Sequence, residues 1–236
     1  MELIKSDWQQ SDIQDFQNYL ISLSKGEEKS VWEQRIVNTK LPCLAISSTE
    51  INKIVSQISK GNFLSFINLW IWTYHSNTVI NGKLICKIKD FDLLKSYLIK
   101  YAMRADNWST IDCLKFKFTK ENEDKFMSFA FELLNYKETF ARRLGVIIML
   151  KLSKNSKYIE DILSNIEILS NEKEYYVNMA TAWLLSELFI KNREATLDFL
   201  NEHKFNAFTI NKMISKCRDS FRVSAFDKEM LLKYKK

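Results

Sequence analysis

The stretch DNWSTID, residues 106–112, combines a helix start with an aromatic ring and a carboxylate one helical turn apart. Asn107 is a favourable N-cap residue, and Thr110 can form a local hydrogen bond in the first turn. A helix that begins at Trp108 places Trp108 and Asp112 on one face. The stretch therefore predicts a flat aromatic side chain and a carboxylate that face the same space. The structural alternative is a buried tryptophan beside a solvated aspartate.

The composition around this stretch favours helices throughout the chain. The 236 residues include only four glycines and one proline, the residues that most often interrupt helices. Hydrophobic residues make up 46% and aromatic residues 13% of the chain, which excludes a disordered protein. No uncharged run approaches the roughly 20 apolar residues that span a bilayer, and the acidic residues near Met1 argue against a signal peptide. We therefore expect a soluble, cytoplasmic protein.

Apolar residues recur at helical spacing along the chain, and short polar links separate the helical segments. Residues 63–72 predict a buried helix because they form the most apolar stretch, and Asn81-Gly82 predicts a turn. Helices are also predicted at 139–152 and at 174–190, the second of them strongly amphipathic. Helix pairs recur roughly every 35 to 45 residues, as in HEAT-like repeats. These patterns predict an all-α fold, a curved solenoid of HEAT-like antiparallel helix pairs (an α-α superhelix) that forms one domain over residues 1–236.

The charge and the reactive side chains exclude several classes of function. The 35 basic and 29 acidic residues give a net charge of +6, which permits contacts with nucleic-acid phosphates without requiring them. His75 and His203 are the only histidines, so a zinc enzyme or a histidine-dependent triad has few candidate residues. No Cys-x-x-Cys pair occurs, and we expect reduced thiols at Cys43, Cys86, Cys113 and Cys217. We therefore expect neither a metal nor a cofactor.

Three further groups of side chains are candidates for binding, and each has a structural alternative. Arg142 and Arg143 interrupt the apolar pattern of their helix, and the alternative is a solvated basic pair. Trp183 lies at helical spacing among apolar residues, where core packing is the alternative. Lys212 and Lys216 belong to a basic cluster near the C-terminus that either follows a phosphate backbone or is simply solvated.

Four separated stretches resemble the AlkD-like DNA alkylation repair family of helical-repeat DNA glycosylases. They are residues 106–112, FARRLGV at 140–146, YYVNMATAWLL at 175–185, and the basic tail at 212–223. The resemblance implies a monofunctional glycosylase, a hydrolase that excises cationic N3- and N7-alkylated purines from double-stranded DNA in base excision repair. We also expect the protein to be a monomer that lies in a bacterial-type cytoplasm and associates with the nucleoid when bound to DNA. We expect no contact with a membrane.

Carried over residue by residue, the resemblance assigns the catalytic carboxylate to Asp112 and the sugar-contacting tryptophans to Trp108 and Trp183. It assigns the phosphate-binding arginine to Arg143. These residue types suit the reaction, because a carboxylate stabilises an oxocarbenium-like sugar and indole faces attract a cation. The remaining candidates for contacts with DNA are Arg142, as the neighbouring alternative to Arg143, and the tail residues Lys212 and Lys216.

The N-terminal part departs from the family pattern at two positions. Ala45 stands in residues 41–46 where the family usually has glycine, and Ile36 stands near the place of a DNA-contacting tyrosine. Trp32 lies one turn before Ile36 and is a candidate to cover the same space. The alternatives to a glycosylase are therefore a catalytically silent nucleic-acid-binding protein of the same family and a protein-interaction scaffold.

Overall fold

The computed structural model describes all residues from Met1 to Lys236 and contains helices and connecting segments but no β-strand. The predicted all-α fold is therefore confirmed. The chain forms two compact units, Met1–Lys117 and Phe118–Lys236. Within each unit, helices pack against their neighbours along the chain, as expected of an α-solenoid. The assignment of residues 1–236 to one domain stays a prediction.

The first unit is built around its fifth α-helix. Its helices are α1 (Ile13–Ser22), α2 (Glu27–Val37), α3 (Ser48–Ile58), α4 (Phe63–Asn68), α5 (His75–Ile85), α6 (Phe91–Arg104) and α7 (Trp108–Asp112), with a 3-10 turn at Gln10–Asp12. Helix α5 packs against α3, α4, α6 and α7, and nine of its eleven residues are buried. Neighbours surround most of α5, and its buried side chains Asn77, Thr78 and Asn81 form hydrogen bonds inside the protein, although Asn77 Nδ2 and Asn81 Oδ1 have no partner.

The second unit is built around α11. Its helices are α8 (Glu123–Leu133), α9 (Thr139–Leu152), α10 (Ile159–Ile166), α11 (Tyr175–Lys191), α12 (Arg193–Glu202), α13 (Ala207–Asp219) and α14 (Ala225–Met230), with 3-10 turns at Ser156–Tyr158, Glu167–Leu169 and Leu231–Tyr234. Helix α11 packs against both α9 and α13, and α9 also packs against α8. The helix predicted at 139–152 is confirmed.

The prediction that residues 174–190 form a strongly amphipathic helix is wrong, because the helix is not divided into one apolar and one polar face. The helix exists as α11, but its buried residues lie on most of its sides because α9 and α13 cover it. Ala180 and Ala182 are buried, which allows the neighbouring helices to approach closely. Trp183 is an exception on this helix, with 39% of its surface exposed. Core packing therefore accounts for only part of the Trp183 side chain.

The buried helix predicted at 63–72 is shorter than expected. Helix α4 ends at Asn68, and Trp70 adopts a left-handed conformation with φ of 45°, which is unfavourable for a residue with a Cβ atom. The Trp70 ring stacks on Tyr97, with centroids 5.9 Å apart and planes 15° apart. Lys100 Nζ lies 4.3 Å from the Trp70 ring centroid. These contacts between α6 and the segment after α4 hold the turn, and the apolar pattern does not reveal them.

The turn predicted at Asn81-Gly82 is also wrong, because both residues lie inside α5. Asn81 is buried, and its Nδ2 donates a hydrogen bond to the Ile71 carbonyl at 2.8 Å. A Cβ atom on Gly82 would lie 2.4 Å from Tyr101 Oη. The glycine is therefore required by the close approach of a side chain from α6, and no turn needs it.

Candidate functional site

The predicted start of α7 is confirmed in detail. Asn107 is the N-cap, and its Oδ1 accepts a hydrogen bond from the Thr110 amide at 2.9 Å. Its Nδ2 donates to Thr110 Oγ1, also at 2.9 Å. Both residues are buried, whereas Trp108 and Asp112 are partly exposed at the two ends of the same helical turn. The helix therefore carries the ring and the carboxylate one turn apart, and both are partly exposed.

Helix α7 is only one turn long, and buried hydrogen bonds hold it in place. The Oη atom of fully buried Tyr101 lies 2.9 Å from the Thr78 carbonyl oxygen and 3.0 Å from the Thr110 carbonyl oxygen. The hydroxyl groups of Thr78 and Thr110 lie 3.2 Å apart. Burial raises the pKa of Tyr101 well above its ordinary value, so its hydroxyl stays a donor. The Tyr101 side chain, on α6, thus joins α5 to α7, the helix that carries Trp108 and Asp112.

A second set of contacts fixes Trp108 against the end of α2. Trp108 Nε1 donates a hydrogen bond to the Ile36 carbonyl at 3.2 Å. The Asp106 carboxylate accepts hydrogen bonds from Thr39 Oγ1 at 2.9 Å and from the Lys40 amide at 2.7 Å. The indole orientation therefore depends on residues about 70 positions earlier in the chain. The Ile36 side chain itself is 53% exposed, beside this hydrogen bond.

Arg142 and Arg143 do not form the solvated basic pair considered as the structural alternative. The Arg142 guanidinium binds the Glu172 carboxylate through Nε at 2.6 Å and Nη2 at 3.2 Å. Its Nη1 donates to the carbonyls of Tyr136 at 2.8 Å and Lys137 at 2.6 Å. Burial would raise the pKa of Glu172, but the Arg142 hydrogen bond and two backbone amides outweigh burial and lower it. Arg142 therefore has a structural role in the second unit.

Arg143 points in a different direction from its neighbour. It is only 5% exposed, and its Nη1 donates a hydrogen bond to the Tyr176 carbonyl at 2.6 Å. Tyr176 lies in the first turn of α11, so this bond joins the start of α9 to the start of α11. The guanidinium thus lies beside the stretch 175–185.

Trp183 and Lys216 come together in the second unit. Lys216 Nζ lies 5.8 Å from the Trp183 ring centroid, within the range of a cation–π contact. Lys212 is exposed, and its Nζ lies 5.9 Å from the Phe208 ring centroid. Each of the two predicted tail lysines is thus paired with an aromatic ring, an arrangement found on surfaces that bind nucleic acids.

A row of aromatic rings in the second unit was not singled out from the sequence. Phe140 and Tyr176 have ring centroids 5.3 Å apart, and Tyr176 and Tyr175 are also 5.3 Å apart. Tyr175 is 56% exposed and lies 5.6 Å from Phe208, the ring beside Lys212. The signal available in the sequence is the pair of adjacent tyrosines, Tyr175 and Tyr176, at the start of α11. The placement of Phe208 depends on the packing of α13 on α11.

The remaining reactive side chains are not arranged for metal chemistry. No group of three or more His, Cys, Asp or Glu residues is placed to hold a metal ion. None of the four cysteines forms a disulfide, and burial raises the pKa of both Cys43 and Cys217 to about 12. Burial also lowers the pKa of His75 to about 4. No helix combines the length and the apolar character needed to cross a membrane.

The helices and the side chains together define a helical-repeat protein. It carries tryptophans, an aspartate, and lysines that lie beside aromatic rings near its surface. The chain belongs to the DNA alkylation repair enzyme family, whose sequence model matches residues 17–216. This match confirms the resemblance noted from the four stretches, and it implies DNA as the substrate. Comparisons with curated proteins and with solved structures give no significant match. Trp108 and Asp112 belong to the first unit, and Arg143 and Trp183 belong to the second.

Proposed function

We propose that the protein is a DNA glycosylase that excises cationic N3- and N7-alkylated purines from duplex DNA. The observation that carries the proposal is the family match over residues 17–216, which includes every candidate site residue. Further support comes from α7, where Trp108 and Asp112 lie one turn apart on a helix held by buried hydrogen bonds.

The proposed reaction breaks the bond between the sugar C1′ atom and the purine nitrogen. An alkylated purine with a fixed positive charge leaves with the bonding electron pair as a neutral base, so no general acid has to protonate it. The sugar left behind is an oxocarbenium-like cation, and the Asp112 carboxylate stabilises that charge. A water molecule adds to C1′ and loses a proton, and the products are an abasic sugar and the free base. Neither a metal nor a cofactor takes part in this scheme.

Trp108 and Trp183 are proposed to contact DNA, Trp108 from the first unit and Trp183 from the second. An indole ring offers a negative π face to a cation, so each ring suits a contact with a positively charged nucleotide. The hydrogen bond from Trp108 Nε1 to the Ile36 carbonyl orients one ring. Lys216 beside Trp183 adds a positive charge for a nearby phosphate.

Arg143 is proposed as the phosphate-binding arginine, and Arg142 is assigned a supporting role. The Arg142 guanidinium already donates hydrogen bonds to Glu172 and to two backbone carbonyls, so its donors are occupied within the protein. Arg143, on α9, is buried and donates a hydrogen bond to the Tyr176 carbonyl at the start of α11, whereas Lys212 and Lys216 lie on α13, which packs against α11. A planar guanidinium suits a phosphate because its nitrogens form paired hydrogen bonds.

The decisive experiment measures release of N7-methylguanine and N3-methyladenine from methylated duplex DNA. We expect Asp112→Asn to reduce the rate by roughly 10²-fold or more, because the amide cannot stabilise the sugar cation. Asp92→Asn, an exposed carboxylate on α6 of the same unit, removes the same charge and should leave the rate unchanged. Circular dichroism of both variants verifies that they fold.

The outcomes separate the glycosylase from its alternatives. Equal release by the wild type and Asp112→Asn would remove Asp112 from the centre of the reaction. No release by the wild type, together with salt-dependent DNA binding, would favour a silent DNA-binding member of the family, an alternative prompted by Ile36. Absence of both release and DNA binding would favour a protein-interaction scaffold.

A further inference from the structure

A basic pocket in the first unit is lined by none of the candidate site residues. It has a volume of about 250 Å³ and opens between α3, the end of α5 and the segment that follows α7. The side chains that line the pocket come from three separate parts of the sequence, so no local sequence pattern predicts the pocket. They are Asn52, Val55, Ser56, Lys83, Cys86, Lys87 and Lys115.

The lining of this pocket has an unbalanced charge. Lys83, Lys87 and Lys115 contribute three positive charges, and no carboxylate is among the lining residues. None of the three lysines takes part in an ion pair, and Lys83 Nζ donates a hydrogen bond to the neutral Asn52 side chain at 3.1 Å. Ammonium groups that share a small pocket repel one another unless an anion lies between them. The lining therefore favours a compact anion that accepts several hydrogen bonds.

We propose that this pocket binds a phosphate group, and that the phosphate belongs to the DNA backbone. The choice of DNA as the source rests on the proposed function, whereas the choice of phosphate rests on the lining. Lysine ammonium groups bind phosphate as point charges, and the Ser56 hydroxyl and the Asn52 amide are additional donors at the same pocket. Free inorganic phosphate is the other source of the same chemistry.

The pocket is close in sequence to the proposed catalytic residue. Lys115 follows Asp112 by three residues, so their Cα atoms are at most roughly 10 Å apart. One DNA strand carries a phosphate about every 3.4 Å along the helix axis. A phosphate in the pocket would therefore lie within a few nucleotides of a nucleotide at Asp112, and would help to position it.

The same lysines could instead serve only the end of a helix. Helix α5 ends at Ile85, and Lys83 and Lys87 lie on either side of that end. Cations stabilise helix C-termini because the unpaired carbonyls carry partial negative charge. In that case their removal would lower stability without changing how DNA binding depends on salt.

The test compares two double variants that remove the same charge. The pocket variant, Lys87→Gln with Lys115→Gln, removes two positive charges from the pocket lining but keeps the Lys83–Asn52 hydrogen bond. Lys60→Gln with Lys89→Gln removes two exposed lysines of the same unit that do not line the pocket. Binding of each protein to an unmodified duplex is measured by fluorescence anisotropy at several salt concentrations. Losing one phosphate contact should reduce the slope of log K against log salt by about 0.9.

We expect the smaller slope in the pocket variant and the wild-type slope in the control variant. Equal slopes in the wild type and the pocket variant, at full wild-type DNA binding, would overturn the DNA-backbone assignment. If the wild type does not bind DNA, the proposed function fails, and the pocket is tested with inorganic phosphate alone. The urea midpoint of the wild type is compared in phosphate and in chloride of equal ionic strength. A midpoint that is higher in phosphate, with this increase lost in the pocket variant, supports a phosphate site. No such difference would overturn it.

Discussion

At the scale of single residues, Ala45 adopts a backbone conformation that is usual for glycine. Its φ is 50°, the left-handed region in which glycine is favoured. Its amide donates a hydrogen bond to the Glu33 carboxylate at 2.7 Å. Burial raises the pKa of Glu33, and this hydrogen bond opposes the increase. The backbone of residues 41–46 thus keeps a conformation suited to glycine because α2 supplies an acceptor.

Arg142 is expected to matter for stability more than for DNA binding. Arg142→Ala would leave the mostly buried Glu172 carboxylate without its cation, and losing one partner of a buried pair costs about 3 to 5 kcal/mol. We therefore expect a loss of unfolding free energy of about that size, measured by urea denaturation. Arg193→Ala is the matched control, because its ion pair with Asp227 is more exposed and should cost no more than about 1 kcal/mol.

An unchanged urea midpoint for Arg142→Ala would contradict the structural role of this arginine. The expected loss also affects the design of binding experiments. A variant that lacks both Arg142 and Arg143 would combine destabilisation with any loss of a phosphate contact. Arg143 alone should therefore be replaced when DNA binding is measured.

His75 should make the stability of the protein depend on pH. Burial is the largest cause of its lowered pKa, about 4 against an ordinary value of 6.5, and Asp106 partly opposes the decrease. Above pH 6.5 neither state binds the proton. Between pH 6.5 and 4 the unfolded chain binds it and the folded chain does not, so stability falls as the pH falls. The shift corresponds to a loss of about 3 kcal/mol.

The measurement is urea denaturation of the wild type and His75→Gln at several pH values. Other carboxylates titrate in both proteins, so the difference between the two curves isolates His75. We expect the wild type to lose more unfolding free energy than the variant between pH 6.5 and 4. Parallel curves would show that His75 binds a proton equally well in the folded and unfolded states.

At the scale of secondary-structure elements, α7 depends on its neighbours. A helix of five residues is far shorter than the roughly 12 residues at which isolated helices become marginally stable. The Asn107 cap and the Tyr101 hydroxyl therefore determine where Trp108 and Asp112 lie. The position of the candidate carboxylate is a property of α5, α6 and α7 together.

Gly82→Ala should disturb this arrangement from inside α5. The new Cβ atom would meet Tyr101 Oη at 2.4 Å and Cζ at 2.8 Å, and overpacking of this kind costs about 1 to 3 kcal/mol. We expect a lower urea midpoint and slower base release, because Tyr101 must move away from Thr110. Tyr101→Phe removes the hydroxyl without adding volume, and should cost about 1 kcal/mol.

The two variants separate packing from hydrogen bonding. Slower base release in both would indicate that the bond to α7 positions the carboxylate. Slower release in Gly82→Ala alone would assign the effect to packing within α5. Full activity and stability in Gly82→Ala would contradict the close approach of Tyr101.

At the scale of the whole molecule, local signals in the sequence account for the helical class and for several element boundaries. The Asn107 cap and the limits of Thr139–Leu152 follow from interactions between residues three or four positions apart. The four stretches that resemble the repair family were also recognisable, since their residue types and order are local properties. The family match over residues 17–216 confirms the family and covers the first three stretches and the start of the fourth.

Contacts between distant parts of the chain account for what the sequence pattern missed. Glu172 lies 30 residues after Arg142, Tyr101 lies 19 residues after Gly82, and the pocket lysines come from two helix ends. Helical spacing states which residues share a face, but it does not state what covers that face. For this reason the exposure of Trp183, the ion pair of Arg142 with Glu172 and the basic pocket between α3 and the end of α5 become visible only when the helices are packed.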